Sequence, residues 1–190
     1  NKSIEMMTLI IKIILMSMYF ANTDIGIIEE KGYKIIQEID GIEIRHYVES
    51  TCASYYDNEG DNPFTVLADY IFGGNQIGQK IEMTSPVAIN MFGNEEMIFL
   101  MPKSITIENH PKPNNDAVKI FTSPNRLTAS ITFSGYADNQ ACLNNKQQLI
   151  DILKENLISH KNDFQLLVYD PPYKKFNRTN EIIVSINGRL

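Results

Sequence analysis

Twice along this chain, strand-like segments lead into one amphipathic helix, and strands resume after it. A parallel α/β sheet needs a helix after nearly every strand, so this order points to an α+β fold of two βαββ-like halves. Tyr33 to Glu38 leads through Asp40-Gly41, a hairpin signal, into Ile42 to Val48, which alternates apolar and polar side chains with period two. Thr51 to Tyr56 continues as strand. Asp61-Asn62-Pro63 pairs capping residues with an early proline, and Phe64, Leu67, Ala68 and Ile71 follow on one helical face, stopped by Gly73-Gly74. This predicts a first helix over about 61–73.

Strands are then expected over Ile81 to Met91, interrupted or placed on an edge by Pro86, and over Glu96 to Met101, Val118 to Thr122 and Leu127 to Phe133. A second helix is predicted over about 138–159, with Leu149, Ile150, Leu153 and Leu157 making its apolar face. Phe164 to Tyr169 and Glu181 to Ile186 are the closing strands. No linker divides the halves, so one shared core is expected.

The N-terminus is a separate problem. Ile13 to Ala21 is a nine-residue apolar run preceded by Lys2 and Lys12, and Ala21-Asn22-Thr23 offers small residues for cleavage. The run falls short of the roughly 20 residues that span a bilayer and suits a signal-peptide core. Residues 1–23 therefore read as a leader and 24–190 as the domain. An uncleaved anchor and an amphipathic tail are the alternatives. Cleavage would place the domain in the secretory pathway or outside the cell; otherwise it is membrane-anchored or cytoplasmic. No membrane span is expected within 24–190, and Asn177-Arg178-Thr179 would become a glycosylation triplet on export.

Lys and Arg number 17 against 23 Asp and Glu, a net charge of −6 with no basic run. That balance disfavours a nucleic-acid partner. The two cysteines, Cys52 and Cys142, form neither a C-x-x-C nor a C-x-x-C-H pattern, which disfavours a zinc knuckle and covalent haem attachment. H-E-x-x-H, G-x-S-x-G and P-loop patterns are absent, and no catalytic residue is assigned.

Four segments taken together resemble one family. Gly41-Ile42-Glu43-Ile44-Arg45-His46-Tyr47 is similar to a strand of SOUL haem-binding proteins, and Phe64 to Asn75 to their first helix. Lys80-Ile81-Glu82-Met83-Thr84-Ser85-Pro86-Val87 resembles their central signature. Tyr169-Asp170-Pro171-Pro172 with Arg178-Thr179-Asn180-Glu181-Ile182 resembles their closing segment. The resemblance implies antiparallel strands in a distorted barrel, flanked by two helices, and a non-covalent haem or other porphyrin ligand. Carrier, buffer and sensor are the roles it implies. Some plastid relatives act on haem, so a haem-modifying enzyme is an alternative. An interaction domain that has lost the ligand is another, and a monomer is expected.

A haem site needs an apolar wall, donors or cations for two propionates and, in many proteins, an axial ligand. His46 shares the strand face of Ile42 and Ile44 and is the candidate iron ligand. Some family members use a histidine at the matching position, and others bind through apolar contact alone. Phe64, Leu67 and Ile71 are candidates for the wall, against a reading as ordinary core. Arg45 and Lys80 are candidates for the propionates, against a reading as solvated charge. Met83 is a candidate thioether contact among the eight methionines, which more often fill cores. His160 reads as a cation at the end of the second helix. Cys52 and Cys142 read as core thiols, with a bridge between them as the alternative on export.

Overall fold

A computed structural model describes residues 32–56, 60–91 and 96–188. The chain divides into two compact units, 1–34 and 35–190; of the first, only residues 32–34 are described. The leader expected over 1–23 lies outside the described residues.

The elements are β1 (Tyr33–Ile39), β2 (Ile42–Tyr47), β3 (Ser50–Tyr56), α1 (Pro63–Ile71), β4 (Val87–Asn90), β5 (Glu96–Leu100), β6 (Lys119–Ser123), β7 (Arg126–Ser134), α2 (Asn139–Glu155), β8 (Gln165–Val168) and β9 (Thr179–Ser185). The nine strands form one curled half-barrel sheet in the order β1-β2-β7-β9-β8-β4-β5-β3-β6. The pairings from β2 to β6 are antiparallel. Among the described residues no helix is long and apolar enough to cross a membrane.

That strand order is a repeat with exchanged first strands. β2-β3-α1-β4-β5 and β6-β7-α2-β8-β9 have the same sequence of elements, meeting at the β4–β8 pair. Yet β2 pairs with β7 of the second repeat, while β6 pairs with β3 of the first. Each repeat needs a strand from the other to complete its sheet.

Local chemistry sets the boundaries. Asp40 and Gly41 both have positive φ, as a type I′ hairpin turn requires. The Asn62 side chain accepts from the amides of Phe64 and Thr65, and Pro63 fills the first helical position. Pro86 stands just before β4: the stretch expected over Ile81 to Met91 is interrupted there, its ladder begins after the proline, and β4 is central and paired on both sides, not the edge strand offered as the alternative.

The second helix also ends earlier than expected. Leu157 takes φ +57°, its amide donates to the Lys154 carbonyl, and the Ile158 amide donates to the Leu153 carbonyl. This is a Schellman termination, with leucine where glycine is usual. His160 consequently lies beyond the helix, bridging to Ile186 and packing its ring edge on Phe164.

The single shared core expected from sequence is corrected to two apolar clusters. Leu149, Leu153 and Cys142 of α2 pack on Ile42, Ile44, Ala129, Ile131, Ile182 and Val184. Leu67, Tyr70 and Ile71 of α1 pack on Ala53, Tyr55, Phe99, Ile81 and Val118. Each helix covers its own half of the sheet's outer face, and the curl separates the two.

Two substitutions test these boundaries. A Cβ at Gly74 would lie 2.7 Å from the Asp69 carbonyl oxygen, which accepts the Gly74 amide. Gly74→Ala is therefore expected to cost about 1–3 kcal/mol. Leu157 is 94% exposed, so Leu157→Gly loses no packing and relieves its left-handed backbone. It is expected to add about 0.5–1 kcal/mol. Urea unfolding of both variants measures each value.

Candidate functional site

Period-two alternation gives the sheet two unlike faces. The outer face carries the apolar residues under the helices. The concave face receives Glu43, Arg45 and Tyr47 from β2, Arg126, Thr128, Ser130 and Thr132 from β7, and Glu181 from β9.

At one end of this face lies a buried polar network. The Arg45 guanidinium, 2% exposed, donates to both Glu181 carboxylate oxygens at 2.7 and 2.8 Å and to Glu43 at 2.7 Å. Glu181 also accepts from the Tyr169 hydroxyl at 2.9 Å and the Thr132 hydroxyl at 3.2 Å. Burial pushes the Glu181 carboxyl up. The hydrogen bonds and charge of Arg45, with those hydroxyls, outweigh burial and hold it below its ordinary value. Burial, followed by the charge of Glu181, pushes the Tyr169 phenol up.

Beside the network opens a cleft of about 580 Å³, within the range of small-molecule sites. Tyr56, Ile98 and Phe121 supply apolar surface, and Lys119, Arg126 and Lys161 supply cations. A hydrogen-bond chain crosses its floor. Arg126 donates to Gln165 at 2.8 Å, Gln165 to Asn90 at 2.9 Å, and Asn90 to Glu96. Arg126 lies over the Tyr47 ring at 5.8 Å, and Lys119 over the Tyr56 ring at 5.6 Å. Cys52 also lines the cleft; burial pushes its thiol to about 11, so it is protonated at neutral pH and a poor nucleophile. Both cysteines are free.

The residues singled out from sequence are spread over the molecule. His46 is half-buried on the outer face, opposite Leu127, and its ring has no hydrogen-bond partner among the described residues. Arg45, its neighbour, points to the concave face; it is not a solvated charge but the centre of the buried network. Leu67 and Ile71 are core beneath α1. Phe64 remains 39% exposed, edge-on to Phe99, while Lys80 and Met83 are exposed on the segment after α1. β2, which carries His46, and β5, on which Phe64 packs, lie five strand steps apart in the sheet order. Glu181 stood within a recognised motif, but its partner Arg45 lies 136 residues away. Arg126 stands one residue before the strand expected over Leu127 to Phe133 and was not among the candidates. The alternation of polar Arg126, Thr128, Ser130 and Thr132 with apolar neighbours was the signal for a polar inner face.

Two interlocked repeats and a concave cleft define an α+β half-barrel domain. The family model described as SOUL heme-binding protein matches residues 28–185, and the chain belongs to that family. Heme-binding protein 1 of Xenopus laevis is 27% identical over 123 residues, covering 61% of this chain and 65% of that protein. The chain thus spans just under two thirds of that relative. Heme-binding protein 2 of Mus musculus is 26% identical over 176 residues, covering 82% of this chain and 84% of its own. The crystal structure of the EcmrR C-terminal domain has the same fold, with TM-score 0.57 at 12% identity, covering 83% of this chain and 99% of that domain. A hydrolase from Listeria innocua matches with TM-score 0.55 at 7% identity, covering 80% and 94%.

The buried pair predicts an acid-sensitive fold. The lowered Glu181 pKa contributes stability that is complete above the unfolded value of about 4.3 and is lost as pH falls through the folded one. Glu181→Gln removes that part of the pH dependence and leaves the buried Arg45 with the more exposed Glu43 as counter-charge, costing at most about 3–5 kcal/mol at pH 7. Denaturant unfolding of both proteins from about pH 3 to about pH 7 measures slope and cost.

Proposed function

We propose that the chain binds haem or a related tetrapyrrole non-covalently in the concave cleft, as a carrier, buffer or sensor. The family match across residues 28–185 carries this reading, and the Heme-binding protein relatives support it. The cleft fits the chemistry. Tyr56, Ile98 and Phe121 offer surface to a flat apolar ring, and Lys119, Arg126 and Lys161 offer charge to its carboxylates. An interaction domain that had lost its ligand would be expected to fill this space with its own side chains.

The lining residues include no histidine, and Cys52 is a neutral thiol. A haem held here brings its iron, but the ring and carboxylates carry the affinity. His46 lies on the opposite face of the sheet and supplies no ligand to this cleft. The relatives are named as binding proteins, in keeping with binding rather than turnover.

Absorbance titration of the full chain with haemin and with protoporphyrin IX tests the reading. Saturable binding of both is expected, with dissociation constants within about threefold, because each differs only in a metal the cleft does not ligate. His46→Ala should leave both curves and the Soret maximum unchanged. Absence of saturable binding contradicts the proposal. A Soret shift and weakened haem binding in His46→Ala, with porphyrin unaffected, moves the ligand to the outer face.

A further inference from the structure

Arg126 is an incomplete ion-pair site. Its guanidinium has five donors in a rigid fork. One terminal nitrogen donates to Gln165, and the face of the group rests on Tyr47. Its Nε is buried without a partner, and among the described residues no carboxylate pairs with it. The guanidinium itself is half-exposed at the cleft, and a buried N–H without an acceptor calls for an explanation. The next two inward residues of β7, Thr128 and Ser130, also carry buried hydroxyls without partners. Of these three positions only Arg126 lines the cleft, so the donors it offers a ligand are its terminal N–H groups not used by Gln165.

The hydrogen-bond chain on the floor gives the cleft a direction. Arg126 can only donate, so the Gln165 carbonyl oxygen must face it. The Gln165 amide then donates to Asn90, and Asn90 donates to the Glu96 carboxylate. Two amides locked in series hold the positive charge at the β7 end and the negative charge at the β5 end. The opposite charges are kept apart and cannot neutralise each other. A ligand carboxylate is attracted to Arg126, whereas at the other end Glu96 offsets the charge of Lys119, which lies over the neighbouring Tyr56 ring.

We infer that Arg126 is the carboxylate anchor of the concave cleft, forming a two-point, charge-assisted pair with an acidic edge group of a flat apolar ligand. The inference rests on the tetrapyrrole reading for the identity of the ring. The carboxylate itself is chemistry shared with an aliphatic acid. Gln165 and Asn90 are positioning residues that hold the fork and set the polarity of the floor.

Three probes separate the possibilities: protoporphyrin IX, its dimethyl ester, and dodecanoate. Each is titrated into the full-length wild type, Arg126→Met and Arg126→Lys, with a thermal melt to confirm folding. The wild type should bind the free porphyrin at least about tenfold more tightly than the ester. Arg126→Met should remove most of that preference while leaving the ester affinity unchanged, the remainder coming from Lys119 and Lys161, and Arg126→Lys should retain more of it. The free acid and ester comparison in wild type needs no variant, so misfolding of Arg126→Met does not remove the test. If neither porphyrin form binds but dodecanoate binds in an Arg126-dependent way, the anchor stands and the tetrapyrrole reading fails. Equal wild-type affinity for acid and ester, a preference undiminished in Arg126→Met, or binding of no probe overturns the inference.

Discussion

The buried pair between Arg45 and Glu181 is the interaction on which the architecture turns. β2 belongs to the first repeat but completes the sheet of the second, and β7 lies between it and β9. Arg45 reaches across β7 to Glu181 with two parallel hydrogen bonds, a geometry that fixes register as well as adding attraction. Desolvating both charges offsets much of the Coulombic gain. The consequence lies in specificity: a slipped β2 would leave two buried charges unpaired, and a one-residue slip would turn Arg45 onto the apolar outer face. The exchange of strands between repeats therefore has a polar lock at its centre.

From that lock the rest of the inner face follows. Arg45 also contacts the Tyr47 hydroxyl at 3.4 Å, and the Tyr47 ring carries Arg126. The cation at the edge of the cleft is thus seated on the same strand that the ion pair holds in register. The outer face, by contrast, is committed to packing, since α1 and α2 each cover an apolar cluster. The two faces differ in kind: apolar burial outside supplies stability, and the polar concavity is the face to which the proposed recognition is assigned.

Much of the fold was legible because it is written locally. The alternation in β2, the Asp40-Gly41 turn and the Asn62-Pro63 start are each short-range signals, and each appears in the structure near its expected place. The end of α2 was not legible, because its termination uses Leu157 where a glycine would have announced it. The central position of β4 was not legible, because a proline beside a strand looks the same whether the ladder starts after it or is broken by it. The site was harder. Sequence alternation correctly grouped His46 with Ile42 and Ile44, but it does not say which face of a strand a helix will cover. Arg45, Arg126 and Glu181 meet on one face only through the β2–β7–β9 order, which is a long-range fact that no local pattern encodes.

The central claim is that the ligand occupies the concave face. Backbone amide shifts of isotope-labelled full-length protein, followed during addition of diamagnetic protoporphyrin IX, test it directly. Perturbations are expected at Cys52, Ile98, Phe121, Arg126 and Gln165, whose side chains line the cleft from five different strands and flanks. Shifts confined to Phe64 through Phe72 with Lys80 and Met83, or centred on His46 and Leu127, would place the ligand on the outer face and contradict the account.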